Sequence, residues 1–263
     1  MSLIFISCLF LGAFAGFLAG LLGIGGGLII VPALVYLLPQ LNLSQEVIMP
    51  IALATSLSTI VITSTSATFA HHKNRNIPWD LTKPLIFIIA FGALLGAFIA
   101  DHLSAQALTS FFAFAVILLA SYMLASIRLQ GYKEMPSQIK LQFIGLLTGV
   151  VASLMGMAGG AILVPLLTYF GMPLRHGIGI ATVCGVMVAF FGSLGYIISG
   201  FDNELLPSWS IGYVYLPALL GISLTSSLFA PIGVKCAANV PVQTLKKFFA
   251  IFLIVVAIKM MFT

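Results

Sequence analysis

Charge is what this chain has least of: eleven basic and six acidic side chains among 263 residues, 6% in all. So few charges cannot clothe the surface of a soluble domain when 61% of the residues are hydrophobic and the mean hydropathy is +1.19. The cysteines, Cys8, Cys184 and Cys236, are too few and too scattered for a disulfide framework. Carboxylates are absent from the interiors of the apolar runs: Glu46, Asp80, Asp101, Glu134, Asp202 and Glu204 all fall at or near segment ends, as do the four histidines. A proton relay at membrane depth therefore has no obvious residue. No His-Glu-x-x-His string or buried nucleophile-base pairing is visible, so an enzyme is not expected, nor is a cofactor or metal. The net charge of +5 does not point to nucleic acid, because the basic residues cluster at segment ends as topology signals do.

What the chain does have is long apolar runs, too long for the alternating strands of a barrel, which predict an all-α integral membrane protein. Helices are expected at 2–21, 28–38, 44–70, 83–101, 104–127, 138–155, 160–170, 175–200, 211–232 and 244–262. The second and seventh are too short to cross a hydrocarbon core of about 30 Å at about 1.5 Å rise per residue. The first run begins without a basic leader region and exceeds a signal-peptide core, so it is expected to remain as a span.

The runs repeat. Gly23-Ile-Gly-Gly-Gly-Leu-Ile-Ile-Val-Pro-Ala33 returns as Gly156-Met-Ala-Gly-Gly-Ala-Ile-Leu-Val-Pro-Leu166. Tyr36 matches Tyr169, Ala54-Thr55 matches Ala181-Thr182, Trp79 matches Trp209, and Leu108-Thr-Ser-Phe-Phe112 matches Leu245-Lys-Lys-Phe-Phe249. A collinear series of this kind indicates duplication, with halves at 1–131 and 132–263. If each glycine string is the tip of a helix hairpin, each half makes five passes, and ten basic residues fall on one side with only Lys259 opposite. If each short helix instead completes a broken pass, the basic residues divide seven to four. The first arrangement satisfies the positive-inside rule, places both termini outside the cytoplasmic membrane, and makes the second half an inverted repeat of the first.

In that plan the two tips approach the midplane from opposite faces. The helix starts at Gly25, Gly26 and Gly27 and at Gly159 and Gly160 then converge, each offering orphan N–H groups and roughly half a positive charge. A small oxyanion suits such a place. Gly12, Gly16 and Gly20, and likewise Gly92 and Gly96, read instead as small-residue faces for helix packing. The third long run is hydroxyl-rich, with Thr55-Ser-Leu-Ser-Thr59 and Thr63-Ser-Thr-Ser66. Thr55 and its repeat partner Thr182 are expected ligand donors, whereas the 63–66 hydroxyls can equally bond back to their own helix. His71 and His72 beside Lys73 and Arg75 read as an orientation signal, Trp79 and Trp209 as interfacial anchors, and Cys184 as an inert buried thiol.

The duplicated Gly-rich-Val-Pro strings, Ala54-Thr55-Ser56, the His71-His-Lys-Asn-Arg-Asn-Ile-Pro-Trp79 exit and the Gly96…Leu108-x-x-Phe-Phe112 pattern together resemble the sulfite exporter TauE/SafE family of membrane permeases. The resemblance covers nearly the whole chain. It implies movement of sulfite, thiosulfate or a small organosulfonate such as sulfoacetate across the cytoplasmic membrane, and it adds Ser56 to the candidate ligand set. A passive anion channel lined by the same helix ends, or a permease for another small anion, is the competing reading.

Overall fold

A computed structural model describes residues 2–22, 26–125, 135–237 and 242–261. Within them the chain forms ten α-helices: α1 Ser2–Leu22, α2 Gly27–Leu37, α3 Gln45–Lys73, α4 Trp79–Asp101, α5 Ala105–Ala125, α6 Gln138–Leu154, α7 Gly160–Tyr169, α8 Leu174–Ser199, α9 Leu216–Ala237 and α10 Val242–Met261. A 3₁₀ turn, Leu38–Leu41, prolongs α2. Six helices are long and apolar enough to cross a membrane, so the protein is a multi-pass, all-α membrane protein. As expected, α2 and α7 are short: they hold eleven and ten residues, and each carries its proline, Pro32 or Pro165, at the sixth position.

One element departs from the sequence expectation. The helix anticipated from 211 begins only at Leu216, and a two-stranded hairpin precedes it, β1 Ser210–Ile211 and β2 Val214–Tyr215. Gly212 makes the turn with φ +52°. So short a hairpin carries too few residues for periodicity to separate it from the start of the helix that follows. Other boundaries moved as well: α3 and α9 run on to Lys73 and Ala237, three and five residues past their expected ends, and α4 starts four residues early, at Trp79. The Thr82 hydroxyl donates to Pro78 O at 2.8 Å and Asp80 sits in the first turn, where a negative charge favours the helix dipole.

Glycine faces set the main helix pairs. Gly12, Gly16 and Gly20 of α1 lie against the backbone of α9 at Ile222, Ser226 and Ala230; a Cβ on Gly16 would sit 2.5 Å from Ser226 Cα. Gly92 and Gly96 of α4 meet α6 at Leu146 and Val150, and Gly149 of α6 answers at Ile89. In lipid, where burying apolar surface gives no advantage over remaining in hydrocarbon, such close backbone approach supplies the van der Waals energy of association. Between these pairs α3 packs on α8, and α5 on α10, with Phe112 and Phe249 buried. When the first five helices are exchanged for the last five, α1 on α9 becomes α6 on α4, while α3 on α8 and α5 on α10 map onto themselves. The middle of α3 is the most enclosed part of the molecule, with Ile51 through Leu57 buried.

Candidate substrate cavity

The two short helices begin at the centre of the bundle. Gly26 caps α2 in ordinary helical geometry (φ −72°), whereas Gly159 caps α7 in the left-handed region (φ 70°), and Gly156, also left-handed (φ 61°), turns the chain out of α6. The Gly156 turn is closed by Gly156 N–H donating to Ser153 O at 3.1 Å and Met157 N–H to Ala152 O at 3.0 Å. A β-carbon at 156 would be strained by the backbone and would also meet Val31 and Leu53 at 2.8 and 3.0 Å. The two tips touch: Gly27 packs on Gly156 O and Met157 Cα, the latter 2.9 Å from where a Cβ would sit. The Ser56 hydroxyl donates to Gly156 O at 2.7 Å, which fastens the second tip to α3. Gly185 of α8 backs it, with a Cβ position 2.9 Å from Ala158 O.

Beside this junction lies a cavity of about 260 Å³. The α2 cap Gly26 and the α7 first residue Gly160 both reach its wall. Thr63, Ser64, Thr182 and Ser226 bring hydroxyls, Ile60, Ala158 and Ala181 bring apolar surface, and the C-terminal half of α3 carries the wall on to His71. No carboxylate, lysine or arginine lines the cavity. The chemistry on offer is therefore that of helix-start N–H groups and hydroxyls in apolar surroundings, which favours a small anion over a cation. Space remains at Gly160, where a Cβ would meet only Ala181 Cβ, at 3.8 Å.

The sequence-derived candidates separate into two groups. Gly26, Gly160 and Thr182 come together on the cavity wall. The others carry the framework. Gly27 is the contact between tips, Gly159 lies against Ala152, Thr148 and Val188, Ser56 is spent on Gly156, and Thr55 is wholly buried, accepting Tyr215 N–H at 3.1 Å. Gly25 lies outside the described residues. The Thr182 hydroxyl donates to Gly179 O at 2.9 Å and Thr63 back-bonds to Thr59 and Ile60 carbonyls at 3.3 Å, so each must swing its proton round to serve a ligand. His71, read from sequence as an orientation signal, stands on the cavity wall with Asn76 Nδ2 3.3 Å from its Nδ1, while His72 sits edge-on to Trp79 with ring centroids 5.6 Å apart. Adjacent histidines on a helix point about 100° apart, and no one-dimensional pattern says which of them faces inward.

The family model of sulfite exporter TauE/SafE matches residues 8–260. The chain belongs to the TauE/SafE family. Among its relatives is a probable membrane transporter protein of Haemophilus influenzae, 42% identical over 254 residues that make up 96% of each chain. Another, from Methanocaldococcus jannaschii, is 24% identical over 85% of this chain and 83% of its own. The probable membrane transporter protein YunE of Bacillus subtilis is 26% identical over 76% and 81%. No solved structure matches. As a TauE/SafE member the protein is a membrane transporter, and the cavity beside its glycine tips is the candidate site.

Proposed function

We propose that this TauE/SafE protein moves a small sulfur-containing anion, whether sulfite, thiosulfate or a small organosulfonate, outward across the cytoplasmic membrane by alternating access. The observation that carries the reading is the convergence of two repeat-equivalent helix starts, Gly26 and Gly160, on one cavity with three of its hydroxyls on α3 and α8. The main helix pairs map onto one another when the two halves are exchanged, which supports an inverted repeat divided near 131. Positive residues at the α3 exit, Lys73 and Arg75, assign that end to the cytoplasm, and the cavity wall runs toward it as far as His71. An anion released into a potential that is negative inside gains roughly 2.3 kcal/mol per charge per 100 mV on moving out, and no buried carboxylate is needed to drive it.

Uptake of labelled sulfite into proteoliposomes at a clamped potential, with thiosulfate, sulfoacetate and sulfate as competitors, tests the assignment. Saturable flux inhibited by one sulfur oxyanion is expected. Flux that rises linearly without saturation would make the cavity a channel, and no flux of any of them would remove the substrate class. A requirement for a proton or sodium gradient at zero potential would sink the potential-driven export.

A further inference from the structure

The two halves differ most where α8 passes into α9. The α3–α4 link is residues 74–78, whereas its counterpart is residues 200–215, and this longer strap carries the β1–β2 hairpin. It is docked at several points. Tyr213 donates its hydroxyl to Asp101 Oδ1 at 3.0 Å and accepts from Asn203 Nδ2 at 3.2 Å. Tyr196 of α8 stands edge-on to Tyr213, with ring centroids 6.4 Å apart. Gly200 is pressed on Tyr213 N, with a Cβ position 2.6 Å away, and Gly212 on Ile197. The strap's end reaches the middle of α3, where Tyr215 N–H donates to Thr55 Oγ1 at 3.1 Å.

Thr55 is the repeat counterpart of Thr182. On α8 the residues Ile178, Ala181 and Thr182 line the cavity. Their counterparts on α3, Ile51, Ala54 and Thr55, are wholly buried, and α3 there packs on β2. The structure thus holds one member of an equivalent pair of walls open and seals the other with a segment that has no twin. Asp101 points the same way. A carboxylate at the C-terminal end of a helix opposes the helix dipole, so its place at the end of α4 is unfavourable unless a donor such as Tyr213 meets it.

From this juxtaposition we infer that the strap 200–215 is the gate of a second mouth: it lifts to uncover Thr55 on the face away from His71, and the Tyr213–Asp101 and Tyr215–Thr55 bonds are its latch. The inference rests on the transport reading above, and deepens it by naming which segment moves and which residue it uncovers. The polar bonds that hold the strap join side chains and backbone which water can satisfy equally well once they part, so release strands few groups in hydrocarbon.

The test is thiol accessibility, which needs no substrate. In a full-length chain with Cys8, Cys184 and Cys236 replaced by serine, Thr55→Cys and, separately, Thr182→Cys are reacted with a membrane-impermeant cationic methanethiosulfonate. The reagent is applied to one face at a time of oriented membrane vesicles. With the Tyr213–Asp101 bond in place, Thr55→Cys is expected to react slowly from the strap face, and adding Tyr213→Phe to accelerate it tenfold or more. Asn203→Ala, which removes the second hydrogen bond to Tyr213 together with the acceptor for Leu205 N–H within the strap, serves if Tyr213→Phe lowers the yield of monodisperse protein. A matching fall in Thr182→Cys reactivity from the His71 face supports both the gate and alternating access. Acceleration at Thr55→Cys with Thr182→Cys unchanged supports the gate and overturns alternating access in favour of a channel. Thr55→Cys unreactive in both latch variants, or equally reactive with the latch intact, overturns the gate.

Discussion

Glycines that look alike in sequence do different work at the residue scale. Gly27→Ala drives a methyl into Gly156 O at the junction of the tips, so it is expected to destabilise the folded protein by about 1–3 kcal/mol, seen as a lowered melting temperature in detergent. Gly160→Ala meets only Ala181 at van der Waals distance and should fold normally. Its methyl stands on the cavity wall, however, and anion flux is expected to fall roughly tenfold, the equivalent of about 1.4 kcal/mol. Loss of stability with Gly160→Ala, or normal stability with Gly27→Ala, would reverse the assignment of the two positions. Ser56→Ala removes the donor to a buried carbonyl at 2.7 Å and should cost about 1–3 kcal/mol in thermal stability while leaving the apparent substrate affinity nearly unchanged.

Tyr213 adds a pH signature. Burial pushes its hydroxyl above the ordinary tyrosine value of 10.0; the Asn203 hydrogen bond works against this, and the Asp101 charge and hydrogen bond add to it. The group therefore holds its proton more tightly in the docked strap than in a released one. The stabilisation it contributes is fully present below pH 10.0 and is lost as the pH rises through the raised value, so the strap should loosen under alkaline conditions. Trp79 and Trp209 are the chain's two tryptophans, and Trp209 lies on the strap. In a Trp79→Phe variant its fluorescence is expected to shift above pH 10.0, and Tyr213→Phe should abolish that alkaline shift.

Among the elements, the short helices and the strap stand apart from the long helices. The α2 and α7 starts are held by close contacts at single glycines, and the strap by hydrogen bonds, the Gly200 and Gly212 contacts and the buried Tyr213, Val214 and Tyr215. In contrast, α1 and α4 are bound to α9 and α6 by continuous glycine faces. Replacing Gly16 with leucine is expected to separate α1 from α9 and prevent accumulation of folded protein, because Ser226 backbone atoms occupy the space a side chain needs. Size-exclusion chromatography after detergent extraction reads this directly. A monodisperse Gly16→Leu protein would mean that α1 contributes little to the bundle.

For the whole molecule, orientation is the quantity that function depends on. In the proposed orientation ten basic residues lie on one side and one on the other, with the α3–α4 link in the cytoplasm and both termini outside. Alkaline phosphatase fused after Thr263 should therefore be active, and a green fluorescent protein fused there after export should stay dark. The opposite result would turn the cavity mouth at His71 to the exterior and, with it, the direction in which this wall is first reached.

The membrane class, the short helices at both glycine strings and the small-residue packing faces were legible in the residues alone. Each follows from local physics: apolar runs of membrane length, helix breaks at glycine, and small side chains at helical spacing. Duplication is a relation between residues and not between positions in space, and it remains part of the proposed reading. The division of labour between equivalent residues was not legible. Thr55 and Thr182 match in sequence, yet one seals against Tyr215 and the other faces a cavity, and only the packing of a hairpin from elsewhere in the chain separates them. His71 and His72 are likewise alike until the rotation of α3 within the bundle turns one inward. Local pattern determines what each segment can be; contacts between segments distant in the chain decide which of two matching residues faces the cavity.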